Sequence, residues 1–370
     1  MSNFLCRRVV ILLATIIAHN LSLSNPVHAQ ASVAPRKNSA DYKLVMTLPG
    51  LTSLQIERIN VIYDSCVAKL NMGVPLQPVR KDFYTRIRPI LNAKQLKALH
   101  PTAHLHSIPK QGDRGLYKVT VDVPYITPPD AVRKGDVYLP KNEKDKLRPA
   151  VLYIHGGGWS GGDKQESSMM PEALAAQGFV VFNINYRLVH RGGEFPANFT
   201  DVKDAFAFLA SKSDEWRIDK AKIAVMGGSA GAHLAMLLGY CNNPKFKAEH
   251  YPNSVARPVA VVSWYGPCDF VKGRSGMVDE MLARSDSSGY TDAAPITYAK
   301  SAVPTLFIHG TKDDVVSIRH SKKMHDALVE HKIRTEMLTL EGAGHGFATD
   351  DWLKAKDASI KFLNSVSGVK

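Results

Sequence analysis

One short turn, Gly227-Gly228-Ser229-Ala230-Gly231, constrains the fold of this chain more than any other segment. An apolar run that ends at Met226 precedes the turn, and a second apolar segment, residues 232–238, follows it. This pattern predicts a buried strand, a tight turn and a helix, with the serine at the start of the helix. Glycines two positions on either side of the serine allow the strand and the helix to approach closely. We therefore expect a sheet that is covered by helices.

Apolar runs rich in β-branched residues recur along the rest of the chain and predict eight strands. They lie at residues 119–123, 136–139, 151–154, 179–182, 223–226, 259–264, 305–308 and 336–340. Helical patterns lie between or after these strands, at residues 170–177, 201–211, 230–240, 318–330 and 351–365. Alternating strands and helices predict an α/β fold with a doubly wound, mainly parallel, eight-stranded sheet.

The first 29 residues have the pattern of a secretory signal peptide. Arg7 and Arg8 precede an apolar run at residues 9–18, and the segment ends on a small residue, Ala29. This run is too short to span a bilayer comfortably. We therefore predict a leader, 1–29, that is removed on export to the periplasm or the extracellular space. No integral membrane segment is expected after its removal.

Residues 30–115 differ from the rest in composition and predict a linker and a helical extension before a catalytic domain at 116–370. The extension holds 13 Lys and Arg against 5 Asp and Glu, and so most of the net charge of +13. We interpret this excess as a solvated helical surface and predict no nucleic-acid partner. The alternative is a surface that docks the protein onto an anionic envelope or polysaccharide. Segments 51–56 and 91–96 each predict a helix capping box, and they resemble the LTxxQ motifs of small periplasmic helical-hairpin proteins.

Two later strands end in loops that carry the side chains needed to activate a serine. The strand at 305–308 leads to Asp313 and Asp314, and the last strand leads to a glycine-flanked His345. The C-terminal ends of parallel strands meet at one edge of a sheet, so these side chains are expected to converge on Ser229. A serine nucleophile needs an adjacent base, and the base needs an acid that holds its tautomer. Either aspartate can supply that acid.

A glycine-rich loop, His155-Gly156-Gly157-Gly158-Trp159, follows the third predicted strand. It lacks the spacing of the dinucleotide and Walker phosphate-binding motifs, so we interpret it as a source of backbone amides for an oxyanion. The amide of Ala230, directly after the serine, is the remaining predicted donor. The sequence contains no Cys or His spacing typical of a metal site. We predict neither a cofactor nor a metal.

These motifs together resemble the α/β-hydrolase fold, and within it the carboxylesterase and lipase group with a His-Gly-Gly-Gly-Trp loop. This group includes feruloyl-esterase-like and hormone-sensitive-lipase-like enzymes. The resemblance covers residues 116–370. Further matching segments are Gly162-Asp163-Lys164, Asn185-Tyr186-Arg187-Leu188, Phe195-Pro196-Ala197 with Asp201, Tyr265-Gly266-Pro267, Pro295-Ile296-Thr297, His309-Gly310 with Val316, and residues 342–347.

The resemblance implies a serine carboxylesterase that acts through an acyl-enzyme. It implies that Ser229 is the nucleophile, His345 the base and Asp313 the acid, with Asp314 as the rival. The implied oxyanion donors are the amides of Gly157, Gly158 and Ala230. The implied substrate is a short-acyl or aryl ester, either a small molecule or one linked to a polysaccharide such as an acylated or feruloylated plant polymer.

Two alternatives to a carboxylesterase remain: an amidase or peptidase with the same mechanism, and a non-catalytic binding protein that keeps the fold. Trp159, Trp264 and Tyr265 are equally compatible with lining the pocket and with packing. Residues 269–294 form a short polar insert, which predicts an open site suited to soluble or polymer-attached esters rather than long triglycerides.

Overall fold

The structure is a computed structural model that describes residues 45–46, 48–71, 83–84, 86–87, 90–92, 95, 112–113, 115–141, 146–271, 275–283 and 287–368. The chain divides into two compact units, Met1–Leu99 and His100–Lys370. The predicted signal peptide, 1–29, lies outside the described residues. None of the helices in the described ranges is both long enough and apolar enough to cross a bilayer.

In the first unit, helix α1 (Ser53–Asn71) begins at the first of the two predicted capping boxes. The amide of Gln55 donates to Oγ1 of Thr52 at 3.2 Å, and the amide of Thr52 donates to Oε1 of Gln55 at 2.9 Å. Asn92 and Gln95 form the same reciprocal pair at 2.9 and 3.0 Å. Nε2 of Gln55 also donates to Oε1 of Gln95 at 2.8 Å, so the two capping boxes are joined directly.

The second unit is built on one sheet with the strand order β1-β2-β3-β5-β4-β6-β7-β8-β9. The strands are β1 (Gly112–Asp113), β2 (Tyr117–Pro124), β3 (Lys134–Pro140), β4 (Arg148–Ile154), β5 (Val180–Ile184), β6 (Ile218–Gly228), β7 (Val261–Trp264), β8 (Thr305–Gly310) and β9 (Thr335–Leu340). Strands β1, β2, β3 and β5 pair antiparallel in that order, and all the other pairs are parallel. The eight predicted strands are therefore confirmed, and the two-residue β1 is an addition.

The five predicted helices of this unit are present within a few residues of their expected bounds. The helices are α2 (Met169–Ala176), α3 (Ala197–Ser211), α4 (Ser213–Trp216), α5 (Ala230–Tyr240), α6 (Gly276–Met281), α7 (Ser287–Ala293), α8 (Arg319–Glu330) and α9 (Thr349–Ser367), with 3₁₀ segments at Lys164–Ser167 and Pro295–Ser301. Helices α6 and α7 lie in the insert that the sequence predicted as a polar loop. The buried side chains of Val278 and Met281 hold α6 against the domain.

Two apolar layers cover the two faces of the sheet. Along β4, Ala150 and Leu152 belong to one layer, and Val151 and Tyr153 belong to the other. Side chains alternate between the faces of a strand, so a strand buried on both faces reads as a continuous apolar run. Every residue of α5 is buried as well, which accounts for its largely apolar sequence. The C-terminal edge of the sheet is thus a rigid platform for the loops that follow β4, β6, β8 and β9.

Candidate active site

Ser229 lies between β6 and α5 in a strained backbone conformation. Its φ of 55° and ψ of −121° lie outside the regions that residues with a side chain readily adopt. The neighbouring glycines make this turn possible. A Cβ on Gly227 would overlap the backbone of Gly231, and a Cβ on Gly231 would overlap the carbonyl oxygen of Ile154. The backbones of β4, β6 and α5 therefore meet directly beneath the serine.

The structure brings together the three side chains that the sequence predicted to converge. Oγ of Ser229 lies 3.0 Å from Nε2 of His345, and Nδ1 of His345 lies 2.8 Å from Oδ2 of Asp313. The Asp313 side chain is fully buried, and the His345 side chain is 20% exposed. With the Nδ1 proton donated to the carboxylate, the Nε2 lone pair faces the hydroxyl group. This arrangement can move the serine proton onto the imidazole.

Asp313, and not its neighbour, is the acid that contacts the histidine. Oδ1 of Asp313 accepts hydrogen bonds from the amides of Val315 at 3.0 Å and Val316 at 2.8 Å. These bonds leave Oδ2 directed at His345. Asp314 is exposed and forms no hydrogen bond with His345 in the described part of the chain. The geometry thus favours the first of the two acids that the sequence left open.

A second histidine, His309, also contacts the acid, and no role was predicted for it from the sequence. Its Nε2 lies 3.2 Å from Oδ2 of Asp313 and 2.8 Å from the carbonyl oxygen of Val316. Its Nδ1 lies 2.7 Å from the hydroxyl of Ser321. Burial lowers the pKa of His309, so the ring is neutral and offers one N–H without adding a charge. Its position at the penultimate residue of β8, just before the loop that carries the acid, is the signal that could have indicated it.

The loop His155–Trp159, here called the oxyanion loop, packs directly against the serine. A Cβ on Gly156 would lie 3.4 Å from Cβ of Ser229. Gly157 and Gly158 have φ values of +117° and +59°, a conformation that favours glycine. Within the described residues, the amides of Gly157, Gly158 and Ala230 have no hydrogen-bond acceptor. They can therefore serve as donors to an anionic oxygen.

His155 gives the oxyanion loop its shape. Its buried Nδ1 lies 2.7 Å from the carbonyl oxygen of Gly156, and its ring stacks on Tyr186 with centroids 4.5 Å apart. Burial lowers the pKa of His155, so a neutral ring donates its Nδ1 proton to that carbonyl. The Tyr186 hydroxyl donates to the carbonyl oxygen of His155 at 3.2 Å. These contacts place His155 in the interior, where it orders the loop.

A buried charge anchors the chain just beyond the oxyanion loop. Nζ of Lys164 lies 2.7 Å from Oδ1 of Asp136 and 3.2 Å from Oδ1 of Asp122. Burial opposes the charged amine, but these two carboxylates outweigh it and raise the pKa of Lys164. The adjacent Asp163 accepts a hydrogen bond from Nδ2 of Asn185 at 2.7 Å. These contacts hold the chain that follows the oxyanion loop against β3 and the end of β5.

A cleft of about 700 Å³ opens above Ser229. Trp159 and Tyr265 line it, and the ring centroid of Tyr265 lies 4.7 Å from that of His345. Trp264 is instead buried, with its Nε1 donating to Oγ of Ser359 at 3.0 Å. Two of the three aromatic residues that the sequence left open thus line the cleft, and the third is a packing residue.

Comparison with known proteins places the chain in a family. The BD-FAE family profile matches residues 135–328, just over half of the chain. Esterase LipC of Mycobacterium tuberculosis is 32% identical over 257 residues, which cover 64% of this chain and 63% of LipC. An acetylxylan esterase of Xylanibacter ruminicola is 25% identical over 234 residues, which cover 62% of this chain and 46% of that protein. The chain thus spans less than two thirds of the length of either relative.

The fold is also that of known structures. A truncated form of a carbohydrate esterase from gut microbiota superposes with a TM-score of 0.63 at 23% sequence identity, covering 70% of this chain and 100% of that one. This likeness and the strand order confirm the predicted α/β-hydrolase fold. The profile match confirms the predicted family resemblance, and the chain belongs to the BD-FAE family.

Proposed function

We propose that this protein is a serine carboxylesterase. The observation that carries the proposal is the hydrogen-bonded series Ser229–His345–Asp313, which lies beside the unpaired amides of the oxyanion loop. Oγ of Ser229 attacks the ester carbonyl carbon while Nε2 of His345 accepts the hydroxyl proton. The positive imidazolium that results is stabilised by the buried carboxylate of Asp313.

The rest of the proposed cycle follows from the same groups. The carbonyl oxygen becomes an oxyanion, and the amides of Gly157, Gly158 and Ala230 donate to it. One such donor contributes about 3 kcal/mol to the transition state in measured cases. His345 then gives its proton to the leaving alcohol, and an acyl-enzyme remains. A water molecule gives a proton to the same histidine and attacks the acyl carbon. The bond to Oγ of Ser229 then breaks, Oγ takes the proton back from His345, and the acid is released.

The proposed substrates are short-acyl or aryl esters, either small molecules or esters attached to a polysaccharide. The open cleft of about 700 Å³ supports an ester whose alcohol part can extend into solvent. The similarity to an acetylxylan esterase supports a polysaccharide as the alcohol part. We also propose export, with cleavage after Ala29. The intact mass of the exported protein tests this proposal.

Hydrolysis of p-nitrophenyl butyrate by the wild type and by Ser229→Ala tests the function. We expect the substitution to lower kcat by about 10⁴-fold or more, because no other group at the site replaces the nucleophile. Ser254→Ala, at an exposed serine outside the cleft, is the matched control and should keep the wild-type rate. A Ser229→Ala protein with more than a tenth of the wild-type rate would rule out this nucleophile. Faster turnover of p-nitroanilides than of esters would instead favour the amidase.

A further inference from the structure

The cleft above Ser229 has an apolar side next to the oxyanion loop. Trp159 and Phe270 form its wall, with ring centroids 6.0 Å apart at an interplanar angle of 84°. The Trp159 ring is itself held in place, because its Nε1 donates to Nδ1 of the buried His233 at 3.1 Å. Val278 adds a further apolar surface. This side can accept a hydrocarbon group but offers it few polar partners.

Met277 covers this apolar side. A Cβ on Gly158 would lie 3.1 Å from Sδ of Met277, so the thioether lies directly over the oxyanion loop. The side chain is 48% exposed, at the second residue of α6. The helix beneath it is held by the buried Met281 and by a 2.5 Å hydrogen bond from the Tyr290 hydroxyl to Asp279. A flexible side chain on an anchored helix can therefore limit the space beside the loop.

A second side of the cleft, next to His345, carries polar side chains. Ser317 and His320 line it, and Val315 lies at its rim with 54% of its surface exposed. Asp269 also faces the cleft and forms an ion pair with Lys323. Hydroxyl-bearing groups can find hydrogen-bond partners here, and a bulky substituent can extend into solvent.

The chemistry of ester cleavage orients a substrate between these two sides. His345 must protonate the leaving oxygen, so the alcohol part has to lie on the side of the histidine. The carbonyl oxygen has to point at the amides of the oxyanion loop. The acyl substituent is then directed to the remaining, apolar side of the cleft. We propose that Met277 sets the length of the acyl group that this protein accepts, and that the His345 side takes a hydrophilic, polyhydroxylated alcohol. This assignment rests on the proposed esterase function.

Two bulky substitutions at exposed positions, one on each side of the cleft, test the assignment. The acyl series is p-nitrophenyl acetate, butyrate and hexanoate, and the alcohol series is methyl, glyceryl and 2-naphthyl butyrate. Met277→Trp should lower the ratio of kcat/KM for hexanoate to that for acetate by at least about fivefold, and Met277→Ala should raise it by a similar factor. Both should leave the ratios within the alcohol series unchanged.

Val315→Trp is the matched variant on the His345 side, and it should change the ratios within the alcohol series instead of those within the acyl series. We expect it to lower the ratio of kcat/KM for 2-naphthyl to that for methyl butyrate by at least about fivefold, with the acyl ratios unchanged. The kcat/KM of the wild-type protein should be higher for glyceryl butyrate than for 2-naphthyl butyrate. The assignment is wrong if the Met277 variants change the alcohol ratios, or if they leave the acyl ratios as they are. A wild type that cleaves none of these esters refutes the proposed function itself, and the assignment fails with it.

Discussion

At the scale of single residues, the two adjacent aspartates after β8 differ in their hydrogen bonds and in their exposure to solvent. Asp313 is buried, accepts two backbone amides on Oδ1, and meets both His345 and His309 on Oδ2. Asp314 is exposed to solvent. The carboxylate of Asp313 is thus oriented by the loop before any substrate arrives, whereas that of its neighbour is free to be solvated.

Asp313→Asn should lower kcat for p-nitrophenyl butyrate by about 10⁴-fold. A carboxamide can hydrogen-bond to a deprotonated Nδ1 and so stabilises the wrong tautomer of His345, with the Nε2 proton facing Ser229. Asp314→Asn carries the same chemical change one residue along and is the matched control. We expect it to keep the wild-type kcat. If both variants fold and both lose kcat to a similar extent, the hydrogen bond between Asp313 and His345 is not what supports the catalytic base.

The sequence predicts the three converging residues because their order and their positions after strands are local properties. The choice between the aspartates is not local, because it depends on which of the two carboxylates meets His345, a residue that lies far along the chain. The role of His309 is hidden for the same reason. Its contacts to Ser321 and to the acid exist only after the chain from β8 to α8 has folded back.

At the scale of secondary-structure elements, His233 joins three parts of the active-site wall. It lies in α5, its Nδ1 accepts a hydrogen bond from Trp159 of the oxyanion loop, and its Nε2 lies 2.8 Å from the carbonyl oxygen of Ala293 at the end of α7. These partners define a neutral ring with the proton on Nε2. Burial lowers the pKa of His233 to about 4.

This histidine should make the protein lose stability in acid. Because the folded pKa lies below the unfolded value, the unfolded chain binds a proton first as the pH falls. The stabilisation is therefore complete above pH 6.5 and is lost as the pH falls from about 6.5 to about 4. Between pH 7.5 and 5.0, the free energy of unfolding of the wild type should fall by about 2 kcal/mol more than that of His233→Gln.

Urea denaturation at the two pH values measures this difference. The other buried histidines and carboxylates are present in both proteins, so their contributions cancel in the comparison. His331→Gln, at an exposed histidine that follows α8, is the control and should keep the pH dependence of the wild type. Equal pH dependence in the wild type and in His233→Gln would contradict a neutral, buried role for His233.

The secondary-structure elements differ in how well the sequence predicts them. Strands β5, β7 and β8 are buried along their whole length, and β4 and β6 are buried over their C-terminal parts. These buried parts read as mainly apolar runs, so their pattern identifies them. Helices α6 and α7 have only six and seven residues. Such lengths are too short for a helical period to stand out. Helix α6 forms because Val278 and Met281 find an apolar surface to cover, and Tyr290 and Ala293 are the corresponding buried residues of α7. The polar insert expected from composition is therefore partly helical, and it carries Met277 to the cleft.

At the scale of the whole molecule, the proposed chemistry lies entirely in one of the two units. The unit His100–Lys370 contains the sheet, both apolar layers and every residue of the candidate site. The first unit has its own internal links, such as the Gln55–Gln95 hydrogen bond between its capping boxes. A unit with its own core is expected to fold independently.

A protein that begins at His100 should therefore fold and should hydrolyse p-nitrophenyl butyrate with a kcat/KM within about twofold of that of the longer chain. The basic excess of residues 30–115 is largely removed by the same deletion. Retention on a sulfated polysaccharide column should fall accordingly, and the difference should disappear at high salt, because the attraction between exposed charges is screened. A folded protein without activity would show that the first unit helps to form the site. Unchanged retention would show that its positive charge does not bind anionic polymers.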